Sequence, residues 1–241
     1  MINHKTANCK WLQPDVKVRH NEQMLFGIPR SLLFFCAMAL VLWTVPQSQA
    51  ARRDVINIAG MLPPLQFRMR EAATGQLVSA TNFRGKVVML YFGYTNCPDV
   101  CPDTLYKVRR IFERLGRDAG RIVFLFVTVD PHRDQLTGLK KYLALFDPRF
   151  QGLRGDPNQL YSLARRYRVV FSVHRSTDLR RYKVTHSSSI CVFGPHGNAR
   201  YLIARLGVTQ HPDYDLIVNN LKALVNAPPK PSFFTWLAAR S

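Results

Sequence analysis

Residues 87–115, VVMLYFGYTNCPDVCPDTLYKVRRIFERL, constrain the fold more than any other stretch of the chain. Val87, Val88, Met89, Leu90, Tyr91 and Phe92 leave no polar face, so a strand here must be covered on both sides, as the strands of parallel sheets are. Leu105, Val108, Ile111, Phe112 and Leu115 then recur at three- and four-residue steps, with Arg109, Arg110, Glu113 and Arg114 mostly off that face. That is the pattern of a helix packed on a sheet. The loop between them, residues 93–102, carries Cys97 and Cys101. Proline suits the first position of a helix, which predicts a helix beginning at Pro102 with Cys101 near its N-cap. Both thiols then sit at the positive end of a helix dipole, where the thiolate is favoured. Asp99 and Asp103 oppose that effect.

The rest of the chain supplies partners for this unit. Extended stretches around Phe67 and Leu77, with a turn at Thr74 and Gly75, predict a hairpin leading into the core strand. Residues 121–130 predict a second buried strand ended by Pro131, and residues 135–146 a helix. Asp156-Pro157 opens another helix, with Leu160, Leu163, Ala164 and Tyr167 on one face. Residues 188–193 and 201–204 read as strands around a turn at Gly197 and Asn198, and Pro212 starts a last helix that buries Ile217, Leu221, Leu224 and Val225. This alternation predicts one α/β domain over residues 55–226, a central mixed sheet flanked by helices with an N-terminal β-hairpin.

The ends read differently. Residues 32–45 are apolar, shorter than the roughly 20 residues of a membrane span and suited to the core of a signal peptide. Ser48, Gln49 and Ala50 then present small residues for cleavage after Ala50. Residues 1–50 are therefore expected to be a leader, removed on export to a bacterial periplasm or kept as an inner-membrane anchor facing it. Translation from Met24 would give that leader an ordinary length. Pro228, Pro229 and Pro231 stop the last helix, and residues 227–241 are expected to be a disordered tail.

The formal charge is +19, and beyond residue 50 there are still 29 basic against 13 acidic residues. No nucleic-acid-binding module accompanies that charge. A solvated basic surface and a dock for an acidic partner both fit it. Three cysteines remain outside the leader: Cys97, Cys101 and Cys191. Cys191 lies within an apolar run and reads as a small buried hydrophobe. Two cysteines four apart in an oxidising compartment can form a disulfide, bind a metal, or do both in turn. Two thiolates do not close a four-ligand zinc site, whereas cuprous copper is satisfied by two or three soft donors. A third ligand would come from a histidine. His4 and His20 fall in the leader, His132, His174, His196 and His211 in loop or turn contexts, and His186 just ahead of the strand at 188–193. A loop before an antiparallel strand can face the loop after a parallel one, which keeps His186 as one candidate without excluding the others.

The run Tyr91-Phe92-Gly93-Tyr94-Thr95-Asn96-Cys97-Pro98-Asp99-Val100-Cys101-Pro102, the later Val129-Asp130-Pro131-His132-Arg133-Asp134, and His186-Ser187 before a strand resemble the Sco/SenC family of thioredoxin-like copper proteins. The resemblance covers about residues 60–225 and implies a thioredoxin-like fold. It also implies that Cys97 and Cys101 are copper-binding thiolates and His186 an imidazole ligand, holding Cu(I) and also Cu(II). The implied task is to deliver copper to the dinuclear copper centre of cytochrome c oxidase subunit II, or to another copper-accepting protein, or to keep the cysteines of that centre reduced. Two positions depart from the family pattern: Thr185 stands where an acidic residue often precedes the histidine, and His132 where Glu usually follows Asp-Pro. Two other functions compete. Phe83-Arg84-Gly85-Lys86-Val87 before the core strand is common among thioredoxin-like thiol-disulfide oxidoreductases and peroxidases, although these typically have two residues between the cysteines and not three. A copper or redox sensor is the other rival.

Overall fold

A computed structural model describes residues 54–174 and 183–227. The leader expected over residues 1–50, its apolar core at 32–45, and the tail expected over 227–241, Ala227 apart, lie outside the described residues. Among the described residues no helix is long and apolar enough to cross a membrane.

In chain order the strands are β1 (Val55–Asn57), β2 (Arg68–Glu71), β3 (Leu77–Ser79), β4 (Val87–Gly93), β5 (Ile122–Thr128), β6 (Gln151–Arg154), β7 (Phe171–His174), β8 (Lys183–His186), β9 (Ile190–Phe193) and β10 (Ala199–Ile203). The helices are α1 (Val100–Leu115), α2 (Leu136–Ala144), α3 (Pro157–Arg166) and α4 (Tyr214–Val225). Eight strands form one sheet in the order β1-β10-β9-β4-β5-β6-β2-β3, and β7 and β8 form a separate antiparallel ribbon. All residues of β4 and β5 are buried, as their unbroken apolar sequences require of strands covered on both faces. They run parallel from Val87 opposite Ile122 to Gly93 opposite Thr128, and β6 continues parallel to β5. The C-terminal ends of β4, β5 and β6 therefore share one edge of the sheet. β9 is antiparallel to β4 with Ile190 opposite Tyr91, which brings its N-terminal end to the same edge.

The mixed sheet and its flanking helices match the expectation from sequence. The hairpin of β2 and β3 forms as expected, but it joins the sheet beyond β6. Adjacent in sequence to β4, it lies three strands away in space. β6, four residues with only Gly152 and Leu153 buried between polar ends, carried no alternation long enough to announce it. Two helix starts also differ. α1 begins at Val100 and not at Pro102; the first N–H groups of a helix have no intrahelical partner, so proline loses no bond at this third position. α4 begins at Tyr214 and not at Pro212, because Asp213 is the cap, its side chain accepting the Leu216 N–H at 2.8 Å.

α1 buries Leu105, Val108, Ile111, Phe112 and Leu115, the stripe read from the sequence, together with Cys101, Thr104 and Lys107. Lys107 is buried because its ammonium has acceptors: Asp103, the Leu206 carbonyl at 3.1 Å and the Thr209 carbonyl at 2.7 Å. These bonds hold the turn at residues 206–208 against the first turn of α1. A Cβ at Gly207 would stand 2.3 Å from Thr104 Oγ1 and 2.6 Å from the Val100 carbonyl, so only glycine permits that approach. Lys107→Met should lower stability by about 2–3 kcal/mol, because the buried Leu206 carbonyl and the part-buried Thr209 carbonyl lose their donor. Urea denaturation checks this; an unchanged midpoint would mean that burying the ammonium costs as much as its bonds return.

Candidate metal centre

The N-terminus of α1 is capped by sulfur. Asp99 occupies the N-cap position but its side chain makes no cap hydrogen bond; the Cys101 N–H donates to Cys97 Sγ at 3.4 Å. A free helix N–H and the helix dipole both favour negative charge on that sulfur. Cys97 retains 9% exposure and Cys101 none. Beneath Cys101, the Tyr91 hydroxyl lies 3.5 Å from its Sγ and 3.4 Å from Thr104 Oγ1. The hydrogen bond to Cys97, then burial, holds the Cys101 thiol far above the ordinary thiol range. Two sulfur donors hydrogen-bonded to each other in a buried site are suited to a single soft cation.

Gly93, the last residue of β4, makes room for this pair. A Cβ there would fall 2.9 Å from Cys101 Sγ and 2.7 Å from the Phe126 ring. The loop after β5 holds the loop after β4. Thr95 donates through both its N–H and its hydroxyl to Asp134, and Thr128 Oγ1 donates to the same carboxylate at 2.6 Å. Burial raises the Asp134 pKa, and these hydrogen bonds oppose the rise. Asp130 pairs with Arg133, whose guanidinium lies 5.8 Å from the centre of the Tyr94 ring. On α2 the Tyr142 hydroxyl is buried without a hydrogen-bond partner; burial first, then its electrostatic interaction with Cys101 and Cys97, raises its pKa.

His186 was expected in a loop before a core strand. It is instead the last residue of β8, paired with Phe171. The His186 side chain lies outside the described residues, but the backbone course around it is defined. The Tyr94 hydroxyl is hydrogen-bonded by the backbone of Val184, Ser187 N–H donates to the Val170 carbonyl at 3.1 Å, and Ile190 stands opposite Tyr91. Residues 184–190 therefore run along the edge of the sheet at which the cysteine loop emerges. Among the described residues no three His, Cys, Asp or Glu side chains converge as metal ligands. His132, His196 and His211 are exposed. Cys191 is 2% exposed between Leu90 and Leu202, and burial pushes its thiol up to about 12, as a packing cysteine requires. Residues missed from sequence include Gly93, Tyr91, Thr104, Asp134 and Tyr142. A glycine ending an otherwise branched and aromatic strand was the one available signal, since glycine there marks close approach.

The sequence model of the family described as SCO1/SenC matches residues 66–223. The chain belongs to the SCO1/SenC family. It is similar to the mitochondrial SCO2 homolog of Bos taurus, 38% identical over 125 residues, 51% of this chain and 47% of the bovine protein. The chain spans about half the length of that curated relative. Among solved structures of the family it is similar to Arabidopsis thaliana ScoI with copper bound, at 30% identity and TM-score 0.60, covering 68% of this chain and 99% of that one. It is likewise similar to yeast Sco1 with copper bound, at 29% identity and TM-score 0.61, covering 73% and 98%. The fold of the SCO1/SenC domain here is thus thioredoxin-like, as its motifs implied.

In reduced protein, iodoacetamide should label Cys97 at least about tenfold faster than Cys101 or Cys191, because access and thiolate character both favour it. Peptide mass spectrometry reads the order, and equal labelling of Cys101 would contradict the arrangement. Gly93→Ala should cost about 1–3 kcal/mol by overpacking against Cys101 and Phe126. Thermal unfolding measures it, with Gly120→Ala, which meets nothing within 4 Å, as the control.

Proposed function

We propose that this protein is a copper carrier that holds copper as cargo on Cys97, Cys101 and His186 and passes it to the dinuclear copper site of cytochrome c oxidase subunit II. The observation that carries this reading is the unequally buried sulfur pair: Cys101 fully buried, Cys97 keeping 9% exposure, one hydrogen bond between the Cys101 amide and the Cys97 sulfur. Two soft donors fit Cu(I), and a neutral imidazole from the segment at 184–190 completes a three-coordinate set. Such a set leaves one side open. An incoming thiolate adds to the metal there, Cys97, the less deeply buried of the two sulfurs, leaves first, and Cys101 and His186 follow. The same pair supports reduction of a partner's disulfide: the Cys97 thiolate attacks one sulfur, Cys101 then displaces the partner's thiolate, and two electrons pass to the partner as Cys97 and Cys101 become a disulfide. The copper-bound relatives at 29–30% identity support cargo over simple redox exchange. Cu(II) is admitted by the imidazole. The proposed location is the periplasm, reached through the apolar segment at 32–45 as a signal peptide or a membrane anchor.

The test is copper stoichiometry and X-ray absorption on reduced protein loaded anaerobically, for wild type and His186→Ala. One copper per chain with two sulfur neighbours and one nitrogen, the nitrogen absent from the variant, is the expected result. Substoichiometric copper together with a rapidly cycling Cys97–Cys101 disulfide would replace the carrier by an oxidoreductase; copper that binds but never leaves for a subunit II thiol would favour a sensor.

A further inference from the structure

A basic cavity lies on the edge of the sheet from which the cysteine loop emerges. Arg70 on β2 and Arg154 on β6 are directly opposite each other in an antiparallel pair. Like charges in that position destabilise a sheet. Among the described residues neither guanidinium forms an ion pair. Arg154 donates through Nε and Nη2 to the Pro131 carbonyl, at 3.2 and 2.8 Å, and Arg70 through Nη1 to the Gly75 carbonyl at 3.1 Å. Several N–H groups of each remain for something else. Both line a polar cavity of about 410 Å³, together with His132 and the exposed side chain of Leu77. The one carboxylate in that lining, Asp156, is committed to the capping box of α3, where it accepts the Gln159 N–H at 2.9 Å.

We infer that this cavity is a docking site for a carboxylate side chain on an acidic protein partner, set beside the cysteine pair. Position argues for a partner protein over a free anion. β4, β5 and β6 are parallel neighbours, so the cavity at the end of β6 stands two strand spacings, about 10 Å, from the end of β4. A protein surface that offers a thiol to Cys97 extends over that distance. Pro131, held by Arg154, belongs to the same loop as Asp134, which holds Thr95; the two sites are built on one rigid support. Arginine pairs favour bidentate carboxylate recognition, and Leu77 offers an apolar edge for the neighbouring residue of the partner. His132 lines the cavity without adding a carboxylate that would compete for the two guanidinium groups. The identity of the partner as a copper acceptor rests on the proposed function above.

The test titrates the 15N-labelled full chain, reduced and copper-free, with the blocked peptide Leu-Glu-Glu-Leu, with its Gln-for-Glu counterpart, and with sodium sulfate. Saturable shifts of the His132, Gly155 and Gln159 amides with the acidic peptide alone are expected. Arg70→Gln, at an exposed position, should weaken that binding about fivefold, and the Arg70→Gln/Arg154→Gln double variant should abolish it. No saturable shift, an equal response to the Gln peptide, or sulfate binding as tightly as the peptide overturns the inference. Copper stoichiometry is measured on each variant in parallel. Wild-type protein that binds peptide but no copper would sink the carrier reading alone, whereas full copper loading without peptide binding would sink this inference alone.

Discussion

The hydrogen bond from the Cys101 amide to the Cys97 sulfur is the contact on which the site depends. A helix must find acceptors for its first N–H groups, and at α1 the chain uses a cysteine where an Asp or Ser side chain would ordinarily serve. One bond therefore starts the helix, orients the Cys97 sulfur and favours its negative charge. The second cysteine is drawn beneath it, onto Tyr91 and against the bare backbone of Gly93. A side chain at residue 93 would displace Cys101, and with it the donor that caps onto Cys97.

That contact is held in turn by the buried strands. β4 offers alternate residues to α1: Tyr91 and Gly93 lie two apart and so face the same way, with Phe126 of β5 beside them, 5.7 Å between the Tyr91 and Phe126 ring centres. Because β4, β5 and β6 are parallel, their following loops must emerge side by side. Thr95, Asp134 and Arg154 tie those three loops together through Asp134 and the Pro131 carbonyl. The cysteine loop is thereby a braced element, which suits a group that must exchange ligands without the fold rearranging.

The charge distribution follows the same edge. Most arginines of α1 face water and pair locally, as Arg109 and Arg110 do with Glu113, and such exposed pairs add little stability. Arg70 and Arg154 differ, being opposed across a sheet pair and turned on one cavity. A high net positive charge is thus two things in this protein: a solvated helix surface, and a local concentration beside the cysteines.

The apolar run of β4, the stripe of α1, the Asp156-Pro157 helix start and the cysteine pair were all legible in the sequence, because local periodicity and residue chemistry specify them directly. The resemblance carried by residues 91–102, 129–134 and 186–187 went further and indicated the family. What sequence could not supply were relations between distant residues. Nothing local tells that the hairpin crosses to the far side of β6, that Thr95 meets Asp134, that Gly207 lies on Thr104, or that Arg70 and Arg154 stand opposite each other. The start of α1 was misplaced for the same reason: proline chemistry was visible, but the sulfur that caps the helix was recognised only once the loop had closed on it. Sequence determined which elements form and which atoms can bind a soft metal; the tertiary structure alone decided which sulfur is the more deeply buried and which charges are neighbours, because both depend on strand order and register, which are properties of packing and not of any local stretch of chain.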